Sequence, residues 1–400
     1  MAAACGIGDA AVTIDSLPSP AGPGSGEPYL TADSTGRVYM SWLERTADSA
    51  HALRFAVLEG DTWTPARTIV SHRRMLANWA DFPTLLVAPG GRVAAHWMLR
   101  TGEGGHGYDL ALAQSSDGGV TWSTPVIPHR DGLSAEHGFA ALYMAGADAV
   151  GAAWLDGRKY AQRSAPTNGR SEASADRGEM MLAHTTVGVD GGLGPEEMLD
   201  PRICDCCQTS LAMAASGPVL VYRDRSLEEI RDISIVRNVR GSWTAPSTVH
   251  ADGWKVDYCP VNGPAVAAQG DEVAVAWFTA ARDTSKVLVA FSADAGAHFE
   301  APVRVDDGNP IGRVDVESDG DGAIVTWIER RGADSAVVRL RRVSSDGVAG
   351  EAITIGSIDP GRPSGFPRVA RRGDELIIAW TITGRPSAVH VGRIRLPDSR

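Results

Sequence analysis

Four of the chain's five cysteines fall in two short stretches, Cys204-Asp-Cys206-Cys207 and Cys259-Pro260. Two chemistries suit such a set. Thiolates are soft ligands that select copper(I) or zinc, and four of them can supply a tetrahedral sulfur site. Asp205, Asp257 and His137 are available as further ligands or as partners that orient the ligands. The alternative is disulfides. One of Cys204, Cys206 or Cys207 can bridge to Cys259, but the crowded Cys-x-Cys-Cys run strains the geometry for the rest. A strained or vicinal bridge is redox-labile, so the cluster would then cycle between dithiol and disulfide. The spacing is not a zinc-finger pattern.

A second chemical feature is the charged run Tyr222-Arg-Asp-Arg-Ser-Leu-Glu-Glu-Ile-Arg-Asp232. Arg223, Asp224 and Arg225 are candidates for binding an anionic ligand, for orienting the thiolates or for catalysis, together with Tyr258. The alternative is a solvated loop of salt bridges that contribute little energy.

What must position these residues is a repeat. A short apolar strand, a Gly or Asp turn and a second strand ending in an aromatic recur along the chain. The aromatics are Trp42, Trp97, Trp154, Tyr222, Trp277, Trp327 and Trp380, in steps of 50 to 68 residues. Each unit continues with a third alternating strand, such as 53–58, 109–114 or 287–292, and a short fourth, such as 66–70 or 302–305. Four strands per unit at this period make a propeller blade. Alternation is blurred in the first two strands, as expected where both faces are buried. The fold expected is all-β, a seven-bladed β-propeller, with six blades as the alternative. The seventh unit stops after a third strand at 389–396, and an orphan strand at 11–15 precedes the first unit. If the orphan fills the fourth place of the last blade, the ring closes without an open edge.

Projecting the repeats puts the two cysteine stretches in equivalent interblade loops of adjacent blades, so they meet near the mouth of the central channel. The loops between second and third strands share that face. One is a long insert, 156–177, rich in Arg, Ser, Ala and Gly, which reads as a lid or a loop shaping access.

The turn after the third strand of the second unit reads Ser115-Ser-Asp117-Gly-Gly119-Val-Thr121-Trp122, and a degenerate copy is Ser292-Ala-Asp294-Ala-Gly296-Ala-His298-Phe299. Asp caps backbone N–H groups, Gly takes positive φ and the aromatic tucks beneath. Here the chain resembles the Asp-box (BNR-repeat) propellers of the sialidase-like superfamily. The resemblance covers nearly the whole chain as architecture. It implies that Ser115, Asp117, Gly119, Thr121 and Trp122 are structural and lie away from the active face. Sialidase chemistry implies an arginine trio for the substrate carboxylate, a Tyr nucleophile activated by Glu, and an Asp acid. Arg223, Arg282 and Arg330 are candidates for the trio, and Tyr258 lies on the matching rim. The family's Arg-Ile-Pro motif is absent, the first blade beginning Glu27-Pro-Tyr29-Leu, and sialidases do not need a cysteine cluster.

Composition narrows the partners. The chain has 400 residues, 43% of them hydrophobic, with 45 Gly and 23 Pro for many tight turns. A formal net charge of -11 argues against nucleic acid or an anionic membrane surface as partner. No apolar run of about 18 residues is present to span a bilayer. There is no Gly-x-Ser-x-Gly elbow and no phosphate-binding Gly loop before a helix. His96 and His184 sit within strand patterns and read as core or surface residues. Residues 1–10 form a tail or the remnant of a lipoprotein signal, with Ala-Ala-Ala-Cys5-Gly as the lipid attachment point, and 11–400 form one domain.

The reading is thus a monomeric periplasmic or cell-surface propeller whose cysteine cluster binds copper or zinc or serves as a redox site. Exo-sialidase or other glycoside hydrolase activity is one alternative. A non-catalytic propeller that binds carbohydrate or protein is the other.

Overall fold

A computed structural model describes residues 14–102, 107–163 and 179–395. Residues 1–13, with Cys5 and most of the expected orphan strand, lie outside the described residues, as does most of the insert at 156–177.

The strands form seven antiparallel sheets in chain order. Blade 1 comprises Ser25–Ala32, Val38–Arg45, His51–Glu59 and Arg67–His72. Blade 3 comprises His137–Met144, Ala149–Asp156, Met180–Gly188 and Glu197–Ile203, and blade 4 runs from Ser210–Ala214 to Ser247–His250. Blade 2 departs from the four-strand expectation. It has Leu85–Ala88, Arg92–Arg100 and Tyr108–Ser115, and its outer position is reduced to a bridge between Leu112 and Val126. The ring closes at blade 7. There Ile14–Leu17 pairs antiparallel with Ala388–Arg395, in the register Ile14 to Ile394 and Leu17 to Val391. The orphan strand therefore fills the fourth place of the last blade, centred slightly later than 11–15.

The second strand of each blade is buried almost throughout and runs one to three residues past its aromatic, and Trp42, Trp97, Trp154, Trp277 and Trp327 are at 0–1% exposure. The core is not one mass. A hydrophobic cluster lies between each adjacent pair of blades, for example Tyr39, Phe55, Leu85 and Trp97 between blades 1 and 2. Each blade is thus a β-sandwich layer to both neighbours, which is why apolar residues occupy both faces of its inner strands.

The Ser-x-Asp-x-Gly-x-Thr-Trp turn is a closed hydrogen-bond unit. Ser115 Oγ donates to Asp117 Oδ1 (2.7 Å), and the same carboxylate oxygen accepts from the Val120 and Thr121 amides at 3.0 and 2.9 Å. Gly119, at φ 79°, lies against Phe55 of blade 1, with Trp122 edge-on to the same ring. The copy at Ser292 and Asp294 repeats the Ser–Asp bond and the amide bond to the carboxylate from His298, which stands in place of Thr121, while the Ala297 amide donates to the Asp294 carbonyl. These turns pin one blade to the previous one.

Candidate functional site

On one face, the loops leading into the inner strands are tied together from blade to blade. The Phe139 amide of blade 3 donates to Asp81 Oδ1 (2.7 Å), and Thr209 Oγ1 donates to the Phe139 carbonyl (2.6 Å). Gln208 reaches both ways, Nε2 to the Ala80 carbonyl (2.7 Å) and Oε1 from the Gly263 amide (2.9 Å). The Arg313 amide donates to Asn262 Oδ1 (2.7 Å). A Cβ at Gly263 would overlap the backbone of Gln208, so the close approach requires glycine there. Beneath this rim is a central cavity of roughly 330 Å³ lined by residues that include Tyr29, Asp81, Phe139, Gln208 and Arg368.

The loop that carries Gln208 also carries Cys204, Cys206 and Cys207. It is held by the charged run of blade 4. The Cys204 amide donates to the Arg223 carbonyl (3.0 Å), and Arg202 Nε donates to the Arg225 carbonyl (3.1 Å). The three Sγ atoms lie within 4.8 Å of one another, Cys204 to Cys206 at 4.0 Å and Cys204 to Cys207 at 3.4 Å. All four cysteines are free thiols, with Cys204 and Cys207 buried and Cys259 exposed. Cys259 arrives from the next interblade loop, outside that group of three, and lies near enough to Cys206 for each to perturb the other's ionisation. Of the four cysteines singled out from the sequence, the structure places Cys204, Cys206 and Cys207 within metal-ligand reach of one another and Cys259 at their exposed edge.

The electrostatics are uneven. Burial opposes ionisation of Cys204. Hydrogen bonds from Cys206 and Cys207 and the charges of Arg231 and Arg223 outweigh it and hold that thiol well below its ordinary range. Arg231 Nη1 donates to Cys204 Sγ at 3.2 Å. Cys207 is pushed up, first by burial and then by Cys204. Cys259 is lowered, chiefly by its hydrogen bond with Cys206. One thiolate at Cys204, with protonated neighbours donating to it, is the arrangement this favours.

The remaining candidates have definite places. Arg223 is 1% exposed and gives its donors to the carbonyls of Asn262, Arg231 and Phe278 at 2.9, 2.6 and 2.7 Å, with its guanidinium over Trp254. It ties the interblade loops together. Asp224 accepts from Ser234 Oγ (3.0 Å), and its carboxyl is raised by burial. Arg225 pairs with Asp205 and Glu229, both at 2.9 Å, so Asp205 lies beside the thiols as an ion-pair partner. Tyr258 is 62% exposed next to Cys259, and Asp257 is exposed too. Arg282 and Arg330 are exposed on their loops, Arg330 donating to the Ala333 carbonyl.

Two groups near the mouth were not singled out from the sequence. Asp81 is buried and its carboxyl is raised to about 7 by that burial. Its Oδ1 accepts from the Phe139 amide and its Oδ2 has no hydrogen-bond partner among the described residues, with Tyr108 and Glu136 near enough to perturb it. Tyr108 is raised by burial, then by Asp81 and Glu136, with a smaller contribution from Cys206. The other is Arg231, whose partner is a thiol 27 positions away, a pairing no local spacing announces.

His137 is not placed at the thiols. It stacks on His129, ring centroids 3.6 Å apart and planes within 6°, among Asp109, Asp131 and Asp156. The short helix Arg158–Arg163 stands between the two clusters, Arg158 on Asp156 and Asp131 and Tyr160 against Asp205.

No family model and no curated protein matches the sequence. Solved structures do. The polysaccharide lyase Uly1 superposes with a TM-score of 0.52 at 8% identity, over 93% of this chain and 90% of that chain. The phage phi92 endosialidase superposes with a TM-score of 0.51 at 10% identity, over 97% of this chain and 69% of that chain. Together with the seven sheets, these likenesses make the fold a sialidase-like β-propeller.

Proposed function

We propose that this sialidase-like β-propeller uses Cys204, Cys206, Cys207 and Cys259 as a soft-metal site at its channel mouth, taking copper(I) or zinc, and that it works outside the cytoplasm. The observation that carries the reading is the spacing of the sulfurs. Zinc–thiolate bonds of about 2.3 Å in a tetrahedron put sulfurs about 3.8 Å apart, and the Cys204 contacts of 4.0 and 3.4 Å bracket that value. Disulfide sulfurs, by contrast, sit about 2.05 Å apart. The donor set is all sulfur, which selects a soft ion. Arg231 partly balances the thiolate charge. The metal would be held by the interblade loops, one of which carries Gln208 into the lining of the central cavity.

The test is metal content by mass spectrometry on protein purified without oxygen, with thiols counted before and after denaturation. The expected result is one equivalent of copper or zinc, lost in Cys206→Ser, since Cys206 is one of the three thiols that lie within 4.8 Å of one another. A full thiol count with no bound metal, even after reconstitution, overturns the reading. A missing pair of thiols would identify a dithiol–disulfide site instead.

A second reading, a glycan-cleaving site on the same mouth, is favoured by one observation. Asp81 lines the central cavity with its buried Oδ2 unpartnered among the described residues, and that burial raises its carboxyl towards neutrality. A protonated carboxylic acid is what glycosidic cleavage needs as its general acid. Hydrolysis of aryl glycosides or sialosides that is lost in Asp81→Asn but retained in Cys206→Ser would favour it.

A further inference from the structure

The four thiols lie at different depths. Cys204 and Cys207 are 1% and 2% exposed, Cys206 is half-buried and Cys259 is exposed. The first three sulfurs lie within 4.8 Å of one another, and Cys259 stands outside that group at its solvent edge. It is still near enough to Cys206 for each to perturb the other's ionisation. Cys259, then Cys206, then Cys204 and Cys207 therefore mark a path from solvent to the interior.

The two loops hold their cysteines differently. Cys204 is fixed by its amide on the Arg223 carbonyl (3.0 Å) and by Arg231 Nη1 on its sulfur (3.2 Å). Gln208, next to Cys207 in the chain, is bonded to the Ala80 carbonyl and the Gly263 amide. Cys259 instead lies between two anchors. On one side the Val256 amide donates to the Glu229 carbonyl at 3.0 Å, and on the other Asn262 Nδ2 donates to the Ile311 carbonyl at 3.2 Å. Between them the backbone of 257–259 makes no hydrogen bond among the described residues. Three sulfurs are thus held in place, and the fourth rides on a segment that shifts without breaking a backbone bond. The count of sulfurs in reach also selects the ion. Structural zinc takes four ligands, so three thiols leave it one short. Copper(I) is soft and is satisfied by two or three thiolates.

We infer that Cys259 is a transfer ligand: it takes copper(I) from a thiol-bearing carrier and passes it to Cys206, Cys204 and Cys207, which hold it. This division of labour rests on the soft-metal reading of the cluster. In the first step a copper–sulfur bond to Cys259 forms as the bond to the carrier sulfur breaks, and the Cys259 proton leaves with the carrier thiolate. In the second, Cys204, Cys206 and Cys207 bond the ion as Cys259 lets go. The proton released by Cys206 returns to Cys259, and that of Cys207 goes to solvent. Copper stays copper(I) throughout, so neither step needs an oxidant or a reductant.

The probe is the copper(I)–glutathione complex, mixed without oxygen with the full-length protein. Loading is followed by near-ultraviolet absorption in stopped flow, and the final load by mass spectrometry. Cys259→Ser, at an exposed position that leaves the fold intact, should still bind one equivalent with unchanged affinity. Its loading from the glutathione complex should be at least about tenfold slower, because the buried thiols have lost their entry ligand. Copper(I) supplied as the acetonitrile complex, a small and labile donor, should load both proteins at the same rate. Loss of the bound equivalent in Cys259→Ser would make Cys259 a holding ligand and overturn the inference. A wild-type loading rate from the glutathione complex would overturn it too. Both results leave the soft-metal reading standing, whereas a wild-type protein that takes up no copper(I) defeats that reading and the transfer role with it.

Discussion

The guanidinium of Arg231 donates to the sulfur of Cys204 at 3.2 Å, in a contact buried from solvent on both sides. The pair joins the interblade loop after blade 3 to the second-to-third-strand loop of blade 4. It gives the cluster a fixed positive neighbour, which adds to the hydrogen bonds from Cys206 and Cys207 in lowering the Cys204 thiol.

Replacing Arg231 by Met removes that charge, and the Cys204 thiol should then titrate at higher pH. Alkylation rate against pH, in metal-free protein, should shift its midpoint upward, with slower labelling at neutral pH. Metal affinity should fall as well, because the thiolate form costs more to make. An unshifted profile would mean that Cys206 and Cys207 alone stabilise the thiolate.

Metal uptake should release protons, because Cys207 and Cys206 are held in the thiol form in the free protein. Affinity should therefore rise with pH. Titrations in buffers of different ionisation enthalpy measure the number released. Release of none would place the metal on other ligands.

Arg223→Met should unfold the protein rather than tune a reaction. It strands the carbonyls of Asn262, Arg231 and Phe278. A buried acceptor left unmade costs roughly 1–3 kcal/mol, so the sum is a large fraction of a domain's stability. Urea denaturation measures the loss. A variant of unchanged midpoint would return Arg223 to the list of groups available for a ligand.

Asp81 makes stability depend on pH. Its carboxyl binds a proton up to about 7 when folded, against 3.8 as its ordinary value. Between those values the folded state holds more protons than the unfolded state, so this contribution to stability is complete below the lower value and shrinks as pH rises through the upper one. Melting temperature should fall from pH 5 to pH 8 more steeply in the wild-type protein than in Asp81→Asn. Parallel slopes would place the Asp81 proton elsewhere.

The seam of the ring is testable at Leu17, 7% exposed in a cluster with Trp42 and Val391. Leu17→Ala should cost roughly 2–5 kcal/mol and raise protease sensitivity near both ends of the ring. Loss of stability without faster cleavage at the ends would separate packing from closure.

Sequence alone determined the blades. The recurring aromatic, the strand lengths, the orphan strand before the first unit and the missing fourth strand of the last one point to a closed ring of blades, because strand patterns and turn chemistry are local properties of the chain. It also picked out the four cysteines, since equivalent positions in adjacent repeats must be neighbours in a ring. What tertiary structure decided was the partner of each polar side chain. Arg223 and Arg231 sit in the same charged run, yet one binds carbonyls and the other a thiol, according to which neighbouring loop each reaches. His137, placed with the cysteines by its loop, belongs instead with His129 and Asp131, whose nearness in sequence was a signal that spacing alone left mute. Asp109 and Asp156 join them only because blades 2 and 3 pack side by side. Periodicity fixes where a residue sits along its own blade. Burial, ion pairing and ligand geometry depend on what the adjacent blade presents, and that is set by the closed ring.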